Sequence, residues 1–88
     1  MVDWQLVSFV KASEVRKKIL RNLREGQQTP TGLKNRCGET MPRISSVLKE
    51  LEKYGLIKNL TPNVRKGKIF KITELGKEIL EKVEKMEG

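Results

Sequence analysis

Histidine is absent from this chain of 88 residues, and cysteine occurs once, at Cys37. Without imidazole there is no side chain whose ordinary pKa suits a general base at neutral pH, and no Ser–His or Cys–His pair. A lone cysteine can form neither an internal disulfide nor a zinc site of nitrogen and sulfur ligands, so a reducing, cytoplasmic setting is expected and a bound metal is not. Glycine-rich loops of the kind that cradle nucleotide phosphates are also missing. Neither an enzyme nor a cofactor is expected.

Apolar runs are short, and none approaches the roughly 20 residues of a membrane span. The opening MVDWQLVSFV carries Asp3 and no basic stretch, so neither a secretory signal nor a membrane partner is expected. Aromatic residues are few: Trp4, Phe9, Tyr54 and Phe70. That is little equipment for stacking unpaired bases.

Charge, by contrast, is plentiful. The net charge is +8, but residues 74–88 hold five glutamates and three lysines, which leaves +10 on residues 1–73. A polyanionic partner is the natural inference for that front part, because charge neutralisation with counterion release supplies most sequence-independent nucleic-acid affinity.

The chain reads as one domain: an N-terminal segment (1–12), a central body (13–73) and a terminal helix (74–88). Residues 3–12 fit a short helix or a strand, the helix being preferred. Ser13 can cap EVRKKILRNLRE, where Val15, Ile19, Leu20 and Leu23 form an apolar stripe that Gly26 ends. Its opposite face holds Arg16, Lys17, Lys18, Arg21 and Arg24, which suit either a solvated surface or phosphate. Thr29 and Pro30 open a helix of barely two turns, closed at Gly38. Residues 41–54 follow, with Ile44, Val47, Leu48 and Leu51 at i, i+3, i+4 and i+7, the clearest amphipathic signal in the chain. LIKNL and KIFKI then flank a basic tip and read as a β-hairpin, and Thr73 can cap the final helix.

A short helix, a glycine-bearing turn and a longer amphipathic helix form a helix-turn-helix, whose second helix enters the major groove. On a helical wheel Pro42, Ser46, Lys49 and Lys53 lie opposite the apolar seam, flanked by Arg43 and Ser45. Arg43 suits bidentate contact with guanine, Ser45 and Ser46 can serve several bases, and Lys49 suits phosphate. Thr40 stands at the start of this helix. The hairpin behind it is a wing, on which Arg65, Lys66 and Lys68 would meet phosphates or the minor groove while Gly67 allows close approach. The expected fold is therefore mainly α with a small β-hairpin, a winged helix-turn-helix of three-helix core, wing and C-terminal helix.

SEVRKKILRNL, TPTGL, ISSVLKELEKYGLIKNLTP and KGKIFKITELGKEIL together resemble archaeal winged-helix transcriptional regulators related to the MarR and ArsR groups. The resemblance spans about residues 10–83. It implies a dimeric regulator of double-stranded DNA, with Pro42, Arg43, Ser45, Ser46 and Lys49 on the recognition surface and Arg65, Lys66 and Lys68 on the wing. Lys34 stands where such helices usually carry alanine, and Gly32 where they often carry an acid; the ArsR metal motif is absent, so metal sensing does not transfer. A homodimer is expected to pair through the acidic last helix, using Leu75, Ile79, Leu80, Val83 and Met86 with Trp4, although the same stripe could close the chain's own core. Cys37, beside Arg36, admits redox sensing, against the plainer reading of a small buried hydrophobe. A sequence-specific repressor is the leading functional expectation. An RNA-binding or ribosome-associated winged helix and a protein–protein adaptor on the same fold are the alternatives. No effector can be read from the sequence.

Overall fold

The computed structural model describes residues 3–65 and 67–87. Five helices and one hairpin follow in order: α1 (Trp4–Lys11), α2 (Glu14–Glu25), α3 (Pro30–Cys37), α4 (Met41–Lys53), β1 (Ile57–Asn59), β2 (Phe70–Ile72) and α5 (Glu74–Glu87). The N-terminal segment is thus helical. Asp3 explains why, since its carboxylate accepts from the Gln5 and Leu6 backbone N–H groups at 2.9 and 3.3 Å.

The other helix starts follow the same chemistry. Ser13 accepts from Arg16 N–H, Thr29 from Gly32 N–H and Thr40 from Arg43 N–H. Pro30 and Pro42 lie in first turns, where a missing N–H costs nothing. Gly55 follows α4 at a φ of 74°, a left-handed conformation that lets the chain reverse directly into β1. Thr73 then joins the two ends of the hairpin: its hydroxyl donates to the Gly55 carbonyl at 2.7 Å and accepts from Gly76 N–H at 3.0 Å.

β1 and β2 pair antiparallel, with Ile57 opposite Ile72 and Asn59 opposite Phe70. A further bridge ties Phe70 to Gln28, each donating its N–H to the other's carbonyl at 2.9 and 3.1 Å. The connection between α2 and α3 therefore serves as a third, minimal strand, and the root of the hairpin is held against the approach to α3.

The apolar stripes of α1, α2, α4 and α5 meet in one core with Leu33, Leu56, Phe70 and Ile72. Ile79, Leu80 and Val83 lie inside it, each 1% exposed or less. These three, for which the sequence admits either a dimer interface or the chain's own core, lie in that core. Full burial stabilises by about 1.5–3 kcal/mol per side chain, so this seam is the main attachment of α5. At its start α5 comes so close to β1 that a methyl group on Gly76 would overlap the Leu56 backbone carbonyl and stand 2.7 Å from Ile72 Cγ1. Among the described residues no helix is long and apolar enough to cross a membrane.

Candidate nucleic-acid interface

Four of the five cations of α2, Arg16, Lys17, Arg21 and Arg24, are engaged within the molecule, while Lys18 is exposed and forms no ion pair among the described residues. Arg24 forms a bidentate pair with Glu84 at 2.5 and 3.1 Å, and Arg21 reaches Glu84 and Glu87 at 3.4 and 3.6 Å. Lys17, only 5% exposed, bridges Glu14 and Glu87 at 2.6 and 2.5 Å. Its hydrogen bonds to Glu14 and Glu87 raise the Lys17 ammonium above its ordinary pKa. The hydrogen bond from Arg24 in turn holds the Glu84 carboxyl below the usual carboxylate range. Apart from Lys18, the face is therefore neither simply solvated nor free for phosphate: Glu84 and Glu87 of the acidic helix α5 pair with Lys17, Arg21 and Arg24.

Arg16 extends the same arrangement to α1 and α4. Its guanidinium donates to the Phe9 carbonyl at 2.7 Å and to Glu50 at 3.1 Å, and lies 3.8 Å from the centre of the Phe9 ring. Phe9 packs on Tyr54 with ring centroids 4.8 Å apart. One arginine thus pins the first helix to the end of α4.

The opposite situation holds on the outward side of α4. Thr40, Met41, Pro42, Arg43, Ser45, Ser46 and Lys49 are all exposed, while Ile44, Val47, Leu48 and Leu51 are buried. The buried seam sets the rotation of the helix, so the outward set follows from it. Thr40 is the exception in role: its hydroxyl is occupied as the cap of α4.

The hairpin stands beside this helix. Its base is stiffened by side chains, because Asn59 Oδ1 accepts from both the Thr61 N–H and hydroxyl, and Thr61 Oγ1 accepts from Ile69 N–H at 3.0 Å. Beyond that base the tip exposes Arg65, Gly67 and Lys68, with Gly67 at a φ of 72°. Lys66, the remaining wing residue expected from sequence, lies outside the described residues.

Two grooves run between hairpin and helices. A cleft of about 190 Å³ is lined by Ser45, Lys49 and Glu52 of α4 and by Asn59, Lys68 and Phe70 of the hairpin. A second groove, of about 370 Å³, brings Arg65 and Lys68 opposite Thr29, Thr31 and Met41, at the starts of α3 and α4. Among the described residues no ion pair engages Arg43, Lys49, Arg65 or Lys68. The arrangement can therefore present unneutralised cations along a helix and a hairpin tip that share one cleft.

This order of elements, with a hairpin tied to the start of the α3–α4 unit, decides the classification, and the winged helix-turn-helix family matches residues 11–88. The chain belongs to that family. No curated protein matches it in sequence. Among solved structures, this winged helix-turn-helix chain resembles a cysteine-to-serine mutant of MarR from E. coli with a TM-score of 0.78 at 24% identity, covering 93% of this chain and 62% of that one. It also resembles that mutant complexed with operator DNA, with a TM-score of 0.76 at 23% identity, covering 96% of this chain and 64% of the other. The adhesin competence repressor AdcR of Streptococcus pyogenes gives 0.72 at 21% identity, covering 85% of this chain and 57% of its own. Such identities show the shared fold, and this chain spans less than two thirds of these proteins.

Sequence reasoning missed Gln28 and Glu52. Gln28 carries no pairing signal of its own, whereas Glu52 lies seven residues after Ser45 and a helical wheel places both on one edge. Of the expected pairing residues, Trp4 and Met86 are 61% and 52% exposed and Leu75 is half-buried. Cys37 is buried, with Asn22 Nδ2 at 3.7 Å from Sγ, and burial pushes its thiol pKa up. That is the environment of a packing residue rather than a reactive thiolate. Lys34 is half-buried, and Gly32 leaves room for the side chains of Gln28 and Thr29, whose oxygens a methyl group would approach to 3.1 and 3.2 Å.

Proposed function

We propose that this winged helix-turn-helix chain is a sequence-specific regulator of double-stranded DNA that acts by occluding promoter sites. On this reading α4 enters the major groove and the hairpin tip the adjacent minor groove or its phosphates. Arg43, Ser45 and Ser46 address base edges, while Lys49, Arg65, Lys66 and Lys68 address phosphate. The observation that carries the reading is the partition of cations: Arg16, Lys17, Arg21 and Arg24 of α2 have carboxylate partners, whereas Arg43, Lys49, Arg65 and Lys68 around the α4–hairpin cleft have none among the described residues.

Two-fold pairing belongs to the same reading, since paired recognition helices would match half-sites one helical turn apart. It draws its support from the exposed Trp4 and Met86 rather than from the core residues of α5. Sedimentation equilibrium at micromolar concentration tests it, and a monomer at every concentration would remove pairing from the account. Titration of duplex DNA, with single-stranded RNA at equal salt as the comparison, tests the DNA reading itself. Duplex binding that weakens steeply with salt is expected. Preference for the RNA, or no binding to either at low salt, would overturn it.

A further inference from the structure

Glu52 is out of place. It is an exposed carboxylate in the last turn of α4, where the carbonyl end of the helix disfavours negative charge. Among the described residues it forms no ion pair, although Lys49 precedes it by one turn. It nevertheless lines the cleft between α4 and the hairpin, together with Lys49 on its own helix and Lys68 across from it. A residue that breaks a local rule without a structural return is a candidate for a functional one.

The position gives the role. If α4 occupies a major groove and the hairpin reaches the next minor groove, the sugar–phosphate strand between those grooves crosses this cleft. Lys49 and Lys68 then attract the strand, and a carboxylate beside them opposes it. We infer that Glu52 is a repulsive element at the strand crossing, which lowers affinity for every duplex and keeps the cleft cations from holding DNA on charge alone. This rests on the DNA-binding reading above. Its effect is on affinity rather than on the ratio of affinities: sequence-independent attraction is weakened equally on every duplex, so the protein leaves each site sooner while the preference set by Arg43, Ser45 and Ser46 is unchanged.

The test uses the full chain with two duplexes, one enriched by the wild-type protein from a random pool and one with the same bases shuffled. Both are titrated against wild type, E52Q and E52D over a salt series, with a thermal melt of each protein as the folding control. E52Q is expected to melt no lower than wild type and to bind both duplexes tighter by the same factor, roughly three- to tenfold at low salt, the gain fading as salt screens the charge. E52D, which keeps the carboxylate, should stay close to wild type. Unchanged or weakened binding by E52Q, or a change confined to the enriched duplex, would overturn the inference, the last outcome making Glu52 a base-reading residue. Wild-type protein that binds neither duplex at low salt would instead show that the DNA reading itself fails, and this inference with it.

Discussion

Two parts of this molecule carry similar cations and use them in opposite ways. On α2, Arg16, Lys17, Arg21 and Arg24 are met by Glu50, Glu14, Glu84 and Glu87. Around the α4–hairpin cleft, Arg43, Lys49, Arg65 and Lys68 meet no carboxylate in an ion pair among the described residues. The difference is one of partners rather than of residue type. Charge on the first face orients α5 against α2, while hydrophobic burial supplies most of the attachment; charge on the second face is left available. A count of basic residues along the chain adds the two together and so overstates what any polyanion could meet.

The comparison breaks most readily at Arg16. Arg16→Ala removes a hydrogen bond to the Phe9 carbonyl, a pair with Glu50 and a guanidinium stacked on Phe9, and should lower stability by about 2–3 kcal/mol. Urea denaturation measures this, and a midpoint equal to wild type would show that the clamp carries no structural weight. Below its melting temperature the variant should keep the wild-type sequence preference. Arg43→Ala should do the reverse. Its side chain is exposed, so the denaturation midpoint should hold, while discrimination at one base pair of the preferred duplex falls by about 1–3 kcal/mol. Competition with single-base variants of the preferred duplex measures that loss; retained preference at every position would take base reading away from Arg43.

A smaller effect is expected from acid. Glu84 and Glu14 have folded-state pKa values below the ordinary 4.5, Glu84 through its hydrogen bond from Arg24 and Glu14 through its hydrogen bond from Lys17. A depressed carboxyl pKa contributes stability that is present above the unfolded value and is lost as pH falls through the folded one. Stability should therefore decline below about pH 4.5, modestly because these pairs are partly exposed, and less so in E84Q, which lacks one of the titrating carboxyls. Thermal melts between pH 3 and pH 7, a range set by the unperturbed carboxyl pKa of roughly 4, would show it. Identical acid profiles for wild type and E84Q would remove Glu84 from the account.

Local features were legible in the sequence because their causes are local. Ser13, Thr29 and Thr40 lie next to the helices they cap, and the 3.6-residue spacing of Ile44, Val47, Leu48 and Leu51 names the buried face of α4 and hence the outward set from Pro42 to Lys49. The features that escaped it are joined across the chain. Arg24 and Glu84 are 60 residues apart and Lys17 and Glu87 are 70 apart, so no spacing reveals that α5 neutralises α2. The stripe Ile79, Leu80 and Val83 announces a buried face but not what buries it, which is why one helix could be read as a pairing element and as a core element. Gly76 resembles a tolerated helix glycine until the Leu56 carbonyl is placed against it. Gln28 pairs with Phe70 through backbone alone, which no side-chain pattern records.

The partition of cations is tested most directly by the salt dependence of duplex binding in four single alanine variants, Lys49, Lys68, Arg21 and Arg24. Each phosphate contact contributes about 0.9 to the slope of log K against log salt concentration. The account predicts that Lys49→Ala and Lys68→Ala each reduce the slope by about one contact, while Arg21→Ala and Arg24→Ala leave it at the wild-type value. Equal reductions from all four, or a reduction confined to the α2 pair, would contradict it.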